Sequence, residues 1–141
     1  MGRPRQFNEP DAVAAASAVI AGHGLAGTSV DDLVRATGVN RASLYGVFGS
    51  KDGLFRRCLA GALDALDDAN DVAELRAAAG SSAPAPDRRT ALDLVLVALM
   101  ELAPDDPALG AQVTSRLHAA GVTAADLGAR ALERATVADP A

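Results

Sequence analysis

The sequence predicts an all-α chain, and three observations carry the prediction. Apolar residues recur at i, i+3, i+4 and i+7 through most of the 141 residues. A Ser, Thr, Asn or Asp stands just ahead of most of these runs, where a helix needs a side chain to satisfy its first amides. Gly or Pro separates the runs at 22–24, 38, 49, 104–107 and 121. Residues 94–97 (LVLV) have strand character, but they lie inside ALDLVLVALMELA, whose length and flanking alanines favour helix.

Residues 1–6 form a short basic arm with Arg3 and Arg5. Asn8 caps the first helix, with Pro10 in its first turn and Asp11 three residues after the cap. Val13, Ala16 and Ile20 form its expected buried stripe, and Leu25 then packs beneath the next two helices. Thr28 is expected to cap the second helix in a reciprocal box with Asp31, which also sets a carboxylate at the positive end of the helix dipole. Val30, Leu33 and Val34 make its apolar face; Gly38 supplies a left-handed residue and Val39 plugs the turn. Asn40 caps a third helix that turns Leu44, Val47 and Phe48 inward.

Gly49 makes the next turn, and Ser50 caps a long fourth helix running to about residue 68. Its apolar face is Leu54, Phe55, Cys58, Leu59, Ala62, Leu63 and Leu66, which makes Cys58 a core residue rather than a reactive thiol. Gly53 and Gly61 weaken this helix by roughly a kcal/mol each, with no compensating reason visible in the sequence. Residues 70–79 read as a short helix, and 80–86 (GSSAPAP) as a linker, the clearest break in the chain. Asp87 caps a helix apolar almost all round, hence the buried centre of a second unit. Asp106 caps the helix after it, with Pro107 at the first position and Leu109, Val113 and Leu117 inward. Gly121 ends that helix. Thr123 and Asp126 form another capping box for the last one, which carries Leu127, Ala131 and Ala135.

Two short helices around a glycine turn, the second bearing small polar residues, fit a helix-turn-helix that lays its second helix in a major groove. GRPR at 2–5 and GTSVDDLVRATGVNRASLYGVFGSKDGLF at 27–55 go further. With cap, turn, LY pair, aromatic, glycine and SK in register, the first 60 or so residues resemble the TetR family of bacterial transcriptional regulators. The remainder is similar to that family's ligand-binding and dimerisation region in being all-helical. The resemblance implies a three-helix, homeodomain-like DNA-binding head at 1–52 and a short C-terminal helical regulatory and dimerisation domain at 53–141. It also implies a homodimeric repressor on a near-palindromic operator, released by a small apolar effector. Leu66, Leu92, Val95 and Leu99 would line the effector pocket, and the last two helices would build a four-helix dimer interface or, alternatively, only close the monomer core.

Geometry and resemblance together nominate the DNA contacts. Thr28 and Ser29, at a helix N-terminus, offer hydroxyl and amide donors to a phosphate. Asn40, Arg41, Ala42 and Ser43 occupy the first turn of the recognition helix and face base edges, Arg41 reading a guanine or holding a phosphate. The Tyr45 hydroxyl reaches the backbone and Lys51 adds a charge-assisted phosphate contact. Arg3 and Arg5 run along the phosphates or in the minor groove. Gly46 departs from the family pattern, which carries a larger side chain there. The rival reading is a small helical dimerisation protein that keeps the head and reads no specific DNA.

The net charge of −5 alone argues against a nucleic-acid binder, but its distribution reverses that. Residues 1–60 hold seven Lys/Arg against five Asp/Glu, and residues 61–141 six against thirteen. A basic head on an acidic body binds phosphates through its patch while the body orients it. One cysteine excludes an internal disulfide and fits a reducing cytosol. No secretory pattern opens the chain, and its longest apolar stretch, 91–103, is too short for a bilayer and contains Asp93 and Glu101. A cytoplasmic protein, nucleoid-associated when bound to DNA and with no membrane partner, is expected. His23 and His118 lie far apart without ligands at metal spacing, and no phosphate loop or nucleophile elbow occurs. No metal, cofactor, catalytic residue or enzymatic activity is therefore expected.

Overall fold

The structure is a computed structural model, described for residues 7–67 and 85–137. The expected arm at 1–6, the helix at 70–79 and the first part of the linker lie outside the described residues. Every regular element among the described residues is helical: α1 (Glu9–His23), α2 (Val30–Thr37), α3 (Arg41–Phe48), α4 (Lys51–Asp67), α5 (Arg88–Val97), α6 (Pro107–Ala119) and α7 (Ala124–Val137). The LVLV stretch is helical. α5 runs into a π-helical turn, Ala98–Leu102, in which the Ala103 N–H reaches back five residues to the Ala98 carbonyl at 2.9 Å.

Caps set most boundaries as the sequence implied. Asn8, Asn40, Asp87 and Asp106 each accept from the amide three residues on, and Thr123 closes a box with Asp126. The second helix is the exception. Its cap is Ser29, in a reciprocal box with Asp32 (2.9 and 3.0 Å), not Thr28 with Asp31. Two overlapping boxes were available one residue apart, and packing chose between them. Thr28 is fully buried and its hydroxyl donates to the Gly24 carbonyl at 2.7 Å.

α1 packs against α2, α4 and α5, so its buried face is wider than one stripe. Ala12, Ala16, Ser17, Ile20 and Ala21 are buried, while Val13 is only partly so. On α4 the buried residues are the seven expected ones. Cys58 is among them, and burial pushes its thiol up to about 11, so it packs as a small hydrophobe. Gly53 does have a structural reason: a Cβ there would sit 2.1 Å from the Phe48 carbonyl oxygen, so only glycine lets α4 start this close to the end of α3.

One hydrophobic cluster runs without a break from Ala12 to Val122, and α4 against α5 is its most extensive contact. Leu109, Val113 and Leu117 bring α6 onto it. α7 docks differently from expectation. Ala131 and Ala135 are exposed and Leu127 is half-buried. The inner side of α7 instead carries Arg130 and Arg134, which close on the buried Asp93 of α5. A charge inside an apolar run needs a partner, and here two arginines of another helix supply it.

Candidate nucleic-acid interface

The α2–α3 unit is built as a turn that holds α3 away from the bulk of the chain. Gly38 takes the left-handed conformation (φ 70°) and its N–H caps the Val34 carbonyl at 2.9 Å, while Val39 is buried under the turn. α3 is amphipathic across its eight residues. Leu44 and Phe48 are buried and Val47 half-buried against the core; Asn40, Arg41, Ala42 and Gly46 are exposed, and Ser43 and Tyr45 are half-exposed. The polar residues nominated on α3 therefore share one outward side.

Their hydrogen bonding leaves donors free to point outward. The Asn40 side-chain oxygen accepts the Ser43 N–H at 2.8 Å, which leaves the Asn40 NH₂ for an external acceptor. The Arg41 guanidinium lies 5.7 Å from the centre of the Tyr45 ring, one turn along. That cation–π contact orients a long, flexible side chain without consuming its five donors. The exposed Ala42 methyl suits the methyl group of a thymine.

Comparisons agree with this geometry. Residues 12–58 match the family described as bacterial regulatory proteins, tetR family. Over 58 residues, 41% of this chain, the sequence is 43% identical to the HTH-type transcriptional repressor BdcR of Escherichia coli (strain K12). It is equally identical over 58 residues to the HTH-type transcriptional repressor ComR of the same organism. The chain carries a TetR-family head. The matched segments span 29% and 28% of those two repressors, less than a third of their length. No solved structure matches the chain.

Within the TetR head, two nominated residues have structural duties. The buried Thr28 hydroxyl is spent on Gly24 and is not presented to a duplex. Ser29 is exposed beside it; its oxygen accepts the Asp32 N–H and its hydroxyl supports the Asp32 carboxylate. Lys51 turns back on the head: its Nζ donates to the Leu25 carbonyl at 3.0 Å and the Thr28 carbonyl at 3.1 Å. Two of its three protons tie the start of α4 to the loop before α2, leaving one proton for an anion. Arg3 and Arg5 lie outside the described residues.

Besides Arg56, which is paired with Asp52 and Asp106, sequence reasoning passed over two cations of the TetR head. Arg57 on α4 lies 5.5 Å from the centre of the Phe48 ring and is exposed, which sets a positive charge beside the end of α3. Arg35 is exposed but paired with Asp32 at 2.8 Å, so its field is largely cancelled. Neither lies in the first turn of α3, where the helix-turn-helix pattern directs attention. A shallow open groove lined by Val19, His23, Gly27, Asp32, Arg35 and Ala36 runs between α1 and α2. It is distinct from the nominated effector residues. Leu66, Leu92 and Val95 are buried in the common core, with Leu99 packed against it. Among the described residues no group of His, Cys, Asp and Glu is placed to hold a metal, and no helix is long and apolar enough to cross a membrane.

Proposed function

We propose that the chain is a sequence-specific, double-stranded-DNA-binding transcriptional regulator, most simply a repressor, in which residues 1–52 read DNA and residues 53–141 dimerise and regulate. The observation that carries this reading is the outward side of α3, where Asn40, Arg41 and Ala42 stand exposed over a buried Leu44 and Phe48 on a TetR-type head. Ser29, Ser43, Tyr45, Lys51, Arg3 and Arg5 complete the contact set, in a cytoplasmic protein that joins the nucleoid on binding. The outer side of α7 supports self-association. Ala125, Gly128, Ala129 and Leu132 are exposed at one helical stripe on α7, and Leu132 is 72% exposed. Small residues with one large apolar group suit close helix packing against a second copy, giving two heads half-sites ~34–36 Å apart or a multiple of that. A small apolar effector, held around Leu66, Leu92, Val95 and Leu99, would act by favouring one arrangement of the two heads.

The test is fluorescence anisotropy on duplexes selected by the chain from a random-sequence pool, read against salt. A regulator selects a near-palindrome and loses affinity steeply with salt, because each neutralised phosphate releases a counterion. Arg41→Ala is expected to cost about 1–3 kcal/mol and relax specificity at one base pair. A chain that enriches no sequence, with a flat salt dependence, favours the rival reading, a helical dimerisation protein. The bare Gly46 on the exposed side of α3 is the feature that speaks for that rival.

A further inference from the structure

The loop between α1 and α2 is held from two sides by groups outside it. On one side the Glu101 carboxylate, in the π-helical turn of the body, accepts two successive backbone N–H groups: Leu25 at 2.9 Å through Oε2 and Ala26 at 2.7 Å through Oε1. On the other side Lys51 donates to the carbonyls of Leu25 and Thr28. Gly24 makes the grip possible. Its φ is +76°, and a Cβ would lie 2.8 Å from Glu101 Oε2. Consecutive amides turned to one side form an anion-binding concavity, and this one is filled by the protein's own carboxylate. A charge-assisted, two-point contact of this kind fixes orientation as well as distance. Ser29, four residues after Leu25, caps α2 and is an expected phosphate contact.

A second contact grips the same junction. Arg134 of α7, itself bound to Asp93, donates to the Ala21 carbonyl in the last turn of α1. The body thus holds the carbonyls at the end of α1 and the amides just past it. Glu101 stands in the π-helical turn, whose extra residue offsets its register from that of α5. An acidic residue in that turn has no packing role to explain it, because its side chain is exposed.

We infer that Glu101 is a positioning residue for DNA reading: from the body, it sets the angle at which the start of α2, and with it α3, meets the duplex. The inference rests on the regulator reading above. The test compares the wild-type chain with E101Q and E101D, using the duplex the wild type selects and a scrambled duplex of equal length. Hydrogen exchange at the Leu25 and Ala26 amides is followed in parallel. E101Q opposes an NH₂ to one backbone N–H, so one bond is lost and the exchange of both amides speeds up. Affinity for the selected duplex falls about tenfold, affinity for the scrambled duplex stays within about twofold, and helicity is unchanged; E101D falls between E101Q and wild type. E101Q binding the selected duplex as the wild type does, or losing both duplexes equally, overturns the inference. A wild type that selects no sequence sinks the regulator reading instead, and unchanged amide exchange in E101Q then sinks the grip itself.

Discussion

The Arg130 guanidinium closes on the Asp93 carboxylate with Nε–Oδ1 at 2.7 Å and Nη2–Oδ2 at 2.9 Å, a two-point ion pair between α7 and α5. The Asp93 side chain is 7% exposed and that of Arg130 14%, so neither charge is well solvated alone. The same carboxylate draws in Arg134 at 2.9 Å. Pairing with Asp93 raises the Arg130 pKa further above its ordinary value, so the guanidinium stays charged. Removing one partner strands the other, and Asp93→Asn is expected to cost about 3 kcal/mol. The double replacement D93L/R130M is expected to recover much of that loss, since apolar groups of similar volume often substitute for a buried pair. Urea unfolding of the wild type, Asp93→Asn, D93L, R130M and the double variant checks this; additive losses of D93L and R130M would refute the coupling.

Two glycines of α4 that look alike in sequence are expected to respond oppositely to alanine. At Gly61 nothing lies within 4 Å of an added Cβ, so Gly61→Ala stabilises by about 0.5–1 kcal/mol through helix propensity. At Gly53 the Cβ meets the Phe48 carbonyl oxygen, so Gly53→Ala destabilises by about 1–3 kcal/mol as α3 and α4 are pushed apart. Thermal unfolding midpoints moving in opposite directions are the expected result.

Stability is expected to fall in acid through the helix caps. The backbone N–H of Ser29 holds the Asp32 carboxyl below its ordinary value, aided by the Ser29 hydroxyl. The amides of Thr90, Leu109 and Thr123 do the same first for Asp87, Asp106 and Asp126. A lowered folded pKa contributes stability that is fully present above the unfolded value, about 3.9, and is lost as pH falls through the folded value. Urea midpoints should therefore hold from neutrality to about pH 5 and drop below pH 4. Asp87→Asn and Asp106→Asn keep a good cap while removing the titration, so each should flatten that drop. An unchanged slope in both variants contradicts the assignment.

The Arg41–Tyr45 contact separates two roles of one tyrosine. Tyr45→Phe keeps the ring under the guanidinium and loses the hydroxyl, so binding to a selected duplex weakens evenly across sequences, by about 1 kcal/mol. Tyr45→Ala also releases Arg41 and is expected to lose discrimination at the base pair that Arg41 reads. Equal specificity profiles for the two variants would show that the ring does not aim Arg41.

Leu132, 72% exposed on the outer stripe of α7, is the residue to charge if that stripe packs against a second copy. Leu132→Glu is expected to weaken self-association at least tenfold in sedimentation equilibrium while leaving helicity intact. An unchanged association constant would place the contact between copies elsewhere.

Helix positions, most caps and the whole buried face of α4 were legible from the chain, because capping chemistry and 3.6-residue periodicity act over a few neighbours. The exposed and buried sides of α3 followed from the same rule. What local rules could not settle was decided by contacts between distant residues. Ser29 rather than Thr28 caps α2, because Thr28 is needed beneath the Gly24 carbonyl. Lys51 serves loop carbonyls more than solvent, and Gly53 makes room for Phe48. The last helix turns arginines rather than alanines inward, because Asp93, 37 residues before Arg130, was buried and needed them. A local pattern says which side of a helix is apolar; only the assembled core says which charges must meet across it.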